Sequence, residues 1–100
     1  MTPRPSEIVA FLVRVRRAVE RGEVRFTDYT DDGIEALGWQ QEDARLQVLE
    51  LNAADHFRCE EGRERPGLIW VFTPALWDGG FLWIRLVERS GVVVISFHKG

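Results

Sequence analysis

The chain has 100 residues, of which 45% are hydrophobic and 29% are charged, and its formal net charge at pH 7 is −3. This composition is typical of a folded globular domain and excludes a disordered or membrane-embedded chain. No apolar run approaches the roughly 18 residues that a membrane span needs. The apolar stretch 8–13 is short and is followed by Arg14, Arg16 and Arg17, which is not the pattern of a signal peptide. We therefore expect one soluble domain over residues 1–100 that works in the cytoplasm.

Cysteine and basic residues narrow the class further. Cys59 is the single cysteine, so the chain has neither an internal disulfide nor a cysteine cage for a metal. Twelve of the thirteen basic residues are arginine, and Lys99 is the exception. Arginine binds phosphate and carboxylate as a planar fork, which suits RNA or an acidic protein partner, although codon usage in a GC-rich genome gives the same bias. Because the net charge is negative, any RNA-binding surface must be a local patch.

The first half of the chain has helical periodicity. Apolar residues recur at helical spacing after Ser6, which can cap the helix, and they stop before Gly22, which can end it. This pattern predicts a helix over 6–21. A short strand is predicted over 23–27, and helical spacing recurs in a short helix over 31–37 and in a helix from 40 or 41 to about 51.

The second half of the chain has the period of two that is typical of strands. Four strands are predicted, over 56–59, 68–73, 81–88 and 92–98, with glycine-containing turns between them. The last three are closely spaced, which predicts an antiparallel meander. The fold class is therefore α+β, with N-terminal helices packed on one face of a mainly antiparallel twisted sheet.

Alternation along the predicted strands sorts their side chains onto two faces. The face toward the helices is predicted to hold Phe57, Cys59, Ile69, Val71, Leu82, Ile84, Leu86, Val93, Ile95 and Phe97. The accessible face is predicted to hold His56, Arg58, Trp70, Phe72, Trp83, Arg85, Ser96 and His98. A bulge in any strand would exchange part of this assignment.

The accessible face has the composition of a surface for single-stranded RNA. Aromatic rings stack on bases and arginine neutralises phosphate, so Trp70 and Trp83 are predicted to bind RNA. Lys99, Arg63 and Arg65 are predicted to add further RNA contacts. The same aromatic residues would also suit packing under a helix or against a protein partner.

Metal-free RNA cleavage needs a base for the 2′-hydroxyl, a cation for the phosphorane and an acid for the 5′-oxygen. Imidazole can act as base or acid near neutral pH, and the chain has two histidines. We predict His98 as general acid or base and His56 as a second proton-transfer residue. Arg58 and Arg85 are predicted to stabilise the phosphorane. Because no phosphate loop or metal-ligand spacing is present, we predict no cofactor and no metal.

Several short segments, spaced without gaps from about Val15 onward, match a known family. They are the basic first helix running into VERGEVR at 19–25, DHFR at 55–58, IW at 69–70, TP at 73–74 and VVVISFHK at 92–99. In these segments the chain resembles the MqsR family of bacterial toxin–antitoxin ribonucleases. The resemblance implies a RelE-like fold and an mRNA endoribonuclease that works without the ribosome, arrests growth and is neutralised by a cognate antitoxin protein.

The family's site is built from Lys, Gln, Tyr and Lys. The resemblance places the first Lys on Arg58 and the Gln on Trp70 or close by. It places the Tyr on Trp83 and the last Lys on His98. Arg58 keeps the positive charge, and His98 offers an acid or base in place of a cation. Trp83 lacks the hydroxyl, and Trp70 lacks the amide. These departures imply either a redistributed site or a module that binds protein or RNA through its Trp/Arg face without cutting. A regulator role is a third reading, but the chain has no recognisable DNA-reading element, so direct DNA binding is not expected.

Overall fold

The structure, a computed structural model, describes residues 2–62 and 67–100, apart from the side chains of Tyr29 and Asp31. Arg63 and Arg65, two of the predicted RNA contacts, lie outside the described residues. The described part forms three α-helices, five strands and one 3₁₀ turn, in the order α1 (Pro5–Arg21), β1 (Val24–Phe26), α2 (Asp28–Ala36), α3 (Gln41–Leu49), the 3₁₀ turn (Ala53–Asp55), β2 (His56–Glu61), β3 (Leu68–Phe72), β4 (Leu82–Arg89) and β5 (Val92–Lys99). None of these helices is long and apolar enough to span a membrane.

Helix α1 begins and ends where local backbone chemistry favours it. Pro5 occupies the first turn, where its missing N–H has no intrahelical partner to lose. Arg4 is the N-cap residue, and its backbone N–H donates to Glu7 Oε1 at 3.0 Å. Ser6 therefore lies inside the helix, and its predicted capping role is wrong. Gly22 ends the helix in the left-handed conformation with φ of 74°, as predicted.

The five strands form one mixed sheet in the order β1-β5-β4-β3-β2. Strands β2 to β5 pair antiparallel in sequence order, which confirms the predicted meander, and β1 adds to β5 in parallel. Buried residues of α1 and α3 form one core with one face of this sheet. The predicted α+β class is thus confirmed.

Helix α2 completes the outer edge of β5, where β1 stops after three residues. Thr30 is fully buried, and its hydroxyl donates to Ile95 O at 2.8 Å and accepts from Phe97 N at 3.0 Å. Gly33 permits this close approach, because a Cβ there would lie 2.5 Å from Phe97 O. A side-chain hydroxyl and a helix therefore replace the neighbouring strand and leave this part of the edge protected.

The predicted division of the faces is wrong in β3 and at the start of β2. Trp70 pairs with Leu86, and both are buried in the core, whereas Val71 pairs with Arg85 on the opposite face. The ring of Trp70 stacks on Phe11 of α1, with ring centroids 4.1 Å apart and planes 5° apart. Because β3 is apolar at every position, alternation could not choose its buried face, and the aromatic stack does so.

A bulge between His56 and Arg58 changes the pattern in β2. The ring of His56 packs edge-on against Trp70 at 5.8 Å and against Phe72 at 5.3 Å, so it lies on the helix-facing side. Phe57, predicted to face the helices, is instead 52% exposed and contacts Trp83. The extra residue of a bulge shifts the alternation by one position, which explains both errors.

Candidate nucleic-acid interface

The open face of the sheet, opposite α1, is organised around Trp83 in β4. The guanidinium carbons of Arg58 and Arg85 lie 5.6 and 5.7 Å from its ring centroid, within cation–π range. The His98 ring stacks beside it, with centroids 6.1 Å apart and planes 23° apart. The rings of Phe57 and Phe81 approach at 5.5 and 6.5 Å. We call this group the Trp83 cluster: Phe57, Arg58, Phe81, Trp83, Arg85 and His98.

Strand register brings these residues together. Trp83 and His98 are directly paired neighbours on β4 and β5, and cross-strand partners project side by side on one face. Arg85 lies two residues along the same strand and so has the same orientation. Arg58 reaches the cluster from β2 over Val71, its partner in β3. The predicted grouping of Arg58, Arg85, Trp83 and His98 on one exposed face is therefore present in the structure.

Glu60 holds the two arginines of the cluster. Its Oε2 lies 3.3 Å from Arg58 Nη2, and its Oε1 lies 3.5 Å from Arg85 Nε. Glu60 was not among the residues predicted for the site, because the predicted strand ended at Cys59. The signal was its position two residues after Arg58 on a strand, which places both side chains on one face. One carboxylate between two guanidiniums leaves the group with a net positive charge.

Several buried polar atoms in this region make no hydrogen bond within the described part of the chain: Trp83 Nε1, Arg85 Nε and Glu60 Oε1. The 3.5 Å contact of Glu60 with Arg85 is thus an ion pair without a hydrogen bond. Unsatisfied buried donors and acceptors cost free energy, and an incoming polar ligand can recover it. Two of the three atoms are donors, which favours an anionic or carbonyl-bearing ligand.

A wide cleft of about 990 Å³ continues from Arg85 toward β1. Its arginines are matched by an equal number of carboxylates: Arg25, Arg85 and Arg89 against Asp28, Glu60 and Glu61. The cleft therefore offers a polyanion little net attraction. Among the described residues, no three His, Cys, Asp or Glu side chains come together as a metal site would require. The Trp83 cluster is the stronger candidate for phosphate contact.

Other predicted site residues lie elsewhere. Trp70 is only 8% exposed and is covered by Phe11, so its predicted place on the accessible face is wrong. His56 lies on the helix-facing side of the sheet, away from His98, so the two do not share one site. Lys99 pairs with the core residue Leu82, so it lies on the side of the sheet opposite His98, where it forms an ion pair with Asp78 at 3.4 Å.

His56 and Cys59 form a polar pair at the edge of the core, with Nε2 and Sγ 3.6 Å apart. Burial lowers the pKa of His56 and raises the pKa of the Cys59 thiol. Burial thus favours the neutral form of each group, which argues against a thiolate–imidazolium nucleophile. This pair is best understood as packing beneath Trp70 and Phe72.

The lowered pKa of His56 predicts a loss of stability in acid. In the unfolded chain His56 has its ordinary pKa of about 6.5, so it binds a proton more readily there than in the folded chain. The free energy of unfolding therefore falls as the pH drops through about 6.5, and above that pH it is retained. His56→Phe keeps a ring against Trp70 and Phe72 but cannot be protonated. We expect urea denaturation between about pH 8 and about pH 5 to show a smaller loss in the variant. Equal losses in both proteins would contradict this account.

Comparisons with known proteins add no assignment. No protein-family model matches the chain, and no curated protein matches it. The case for a function therefore rests on the geometry of the Trp83 cluster and on the sequence segments described above.

Proposed function

We propose that the chain is a metal-independent endoribonuclease that cleaves single-stranded mRNA at the Trp83 cluster, and that its sheet and helices form a RelE-like fold. The main support is one observation: Arg58, Arg85 and His98 all contact the same tryptophan ring on an exposed face. Two cations, the Glu60 carboxylate between them and an imidazole are the charge-stabilising groups, base and acid that cleavage next to a 2′-hydroxyl requires, and the tryptophan ring adds a surface for a base.

Substrate binding begins when a phosphate of the RNA replaces the Glu60 carboxylate on Arg58 and Arg85. The side chains of Arg58 and Glu60 are 49% and 30% exposed, and an ion pair this open is worth about 1 kcal/mol or less, while the contact of Arg85 with Glu60 makes no hydrogen bond. A phosphate binds guanidinium through stronger, forked hydrogen bonds and can displace the carboxylate. Trp83 and Phe57 then supply ring surface for a neighbouring base. The displaced carboxylate stays next to the bound phosphate.

The proton transfers follow from what each group can do. An ionised carboxylate only accepts hydrogen bonds, so Glu60 takes the proton of the 2′-hydroxyl. The 2′-oxygen attacks the adjacent phosphorus, and the two arginines stabilise the charge of the phosphorane. His98, as the imidazolium, donates its Nε2 proton to the departing 5′-oxygen as the bond of that oxygen to phosphorus breaks, and becomes a neutral imidazole. The products are a 2′,3′-cyclic phosphate and a 5′-hydroxyl.

The orientation of His98 suits this role. Its Nδ1 lies 3.4 Å from Lys99 O, and the protonated Nδ1 can donate to that carbonyl. Nε2 is then the nitrogen left to face the substrate. When Nδ1–H donates to the carbonyl, the Nε2–H of the doubly protonated ring is directed toward the substrate, as a general acid requires.

In the cell, we propose that this ribonuclease is the toxin of a toxin–antitoxin pair and that a cognate antitoxin protein neutralises it. The support is the resemblance of the quoted segments, above all the closing VVVISFHK, to the MqsR family. Expression of the chain alone should arrest bacterial growth, and co-expression with the product of the adjacent gene should relieve the arrest.

The first test uses the two histidines as a matched pair. The wild-type protein should cleave RNA in the presence of EDTA and leave cyclic-phosphate ends, and His98→Ala should lower the rate by about 10²- to 10⁴-fold, as loss of a general acid does. His56→Phe, on the other side of the sheet, should keep the wild-type rate. Intact RNA with the folded wild-type protein would defeat the enzyme hypothesis, and RNA that is bound but never cut would select the binding module.

The second test separates binding from chemistry at Glu60. Glu60→Gln removes a negative charge beside the phosphate, so RNA should bind at least as tightly as to the wild type. Cleavage should nevertheless slow by about 10²- to 10⁴-fold, because the amide cannot take a proton. Glu61→Gln, the exposed neighbouring residue, is the control and should change neither quantity. A full cleavage rate in Glu60→Gln would remove Glu60 from the mechanism.

A further inference from the structure

The loop between β3 and β4 presents one tryptophan almost entirely to solvent. Trp77 is 97% exposed, whereas Trp70 and Trp83 in the sheet are buried and half-buried. An indole is among the largest apolar side chains, and leaving it in water forgoes the free energy that its burial supplies. Neither the fold nor the proposed reaction uses Trp77.

The turn that carries Trp77 is closed by its own hydrogen bonds. Leu76 N donates to Gly80 O at 2.7 Å, and Gly79 N donates to Leu76 O at 3.1 Å. Gly79 has φ of 90°, which a residue with a side chain rarely adopts. The Asp78 carboxylate accepts from Gly80 N at 3.0 Å, and this hydrogen bond lowers the pKa of Asp78. The indole is therefore held out by a fixed turn, which reduces the ordering cost of binding a ligand.

The same loop is attached to the end of the sheet at which His98 lies. Asp78, the residue after Trp77, pairs with Lys99, the residue after His98, at 3.4 Å. At the base of the loop, Phe81 accepts a hydrogen bond from Gly100 N at 2.9 Å, and its ring lies 6.5 Å from Trp83. Trp77 thus belongs to the end of the sheet at which His98 lies, beyond Phe81.

We propose that Trp77 is a stacking platform for a base of single-stranded RNA, on the 3′ side of the bond that is cut. This inference rests on the proposed function, in which His98 protonates the 5′-oxygen of the departing strand. The nucleotides of that strand must leave the cluster past His98, and the loop of Trp77 lies at that end. The site is a second, separate base-binding position in addition to the ring surface of Trp83 and Phe57.

The surroundings of Trp77 favour a base over a protein side chain. The indole of Trp77 is 97% exposed, so its ring faces are open. Stacking of a base needs only one open ring face. Within the cluster, the exposed ring of Phe57 lies against Arg58, and the exposed ring of Phe81 lies beside Trp83, whereas the exposed aliphatic residues Val9 and Leu46 lie on helices.

The experiment measures binding of 2′-O-methyl oligouridine, which cannot be cleaved because its 2′-oxygen is blocked. A trimer fits the Trp83 cluster alone, and an octamer extends past His98. The wild type should bind the octamer more tightly than the trimer. Trp77→Ala should lower the affinity for the octamer by about 5- to 100-fold and leave the affinity for the trimer unchanged. Trp77→Phe keeps a ring and should retain most of the affinity for the octamer. Leu46→Ala, which also truncates an exposed apolar residue but on α3, should change neither the affinity for the octamer nor that for the trimer.

The outcomes separate this inference from the proposed function. Equal binding of the octamer by Trp77→Ala and the wild type would overturn the stacking platform alone. Absence of binding of either oligonucleotide to the wild type would overturn the RNA-binding function together with the platform. An octamer without bases in its 3′ half should bind to the wild type and to Trp77→Ala with equal affinity, because the base that stacks on Trp77 is missing. If the wild type still binds this octamer more tightly than Trp77→Ala, the placement of Trp77 on the 3′ side is wrong.

Discussion

The stack of Phe11 on Trp70 decides which face of the sheet the helices cover. It joins α1 to the middle of β3, and the register from β3 to β5 then directs every second side chain away from the helices. With Trp70 inside, Val71 and its neighbours Arg58 and Arg85 must face outward. This contact sets the orientation of β3, because exchange of its two faces would place an aliphatic side chain against Phe11 and Trp70 on the open face.

The outward face concentrates positive charge in a chain whose net charge is −3. Glu60 draws Arg58 and Arg85 to one place, and Trp83 supports both guanidiniums with its ring. Charged groups close to a phosphate matter more than distant ones, since salt screens exposed charges beyond about 8 Å. A small basic patch can therefore bind RNA on an otherwise acidic protein, and the proposed cleavage chemistry needs no larger surface.

The sequence predicted the elements, the meander and the outward orientation of β4 and β5, because these strands alternate regularly and pair without bulges. It failed where the alternation is uninformative or interrupted. Strand β3 is apolar throughout, so only the contact with Phe11 shows which side is buried, and the bulge at His56 could not be located from residue types. Glu60 could have been found from its spacing to Arg58. The exposure of Trp77 depends on the hydrogen bonds of its turn, which composition does not reveal.

The central claim is that Arg58, Arg85, Trp83 and His98 respond to one ligand. The most direct measurement is an NMR titration with a non-cleavable 2′-O-methyl oligonucleotide, following the arginine side-chain N–H groups, the histidine rings and the tryptophan indoles. We expect the signals of these four residues to shift along one common saturation curve, while the indole of Trp70, sealed beneath Phe11, stays in place. Shifts confined to the helix side, or no shift at Trp83 and His98, would contradict the account.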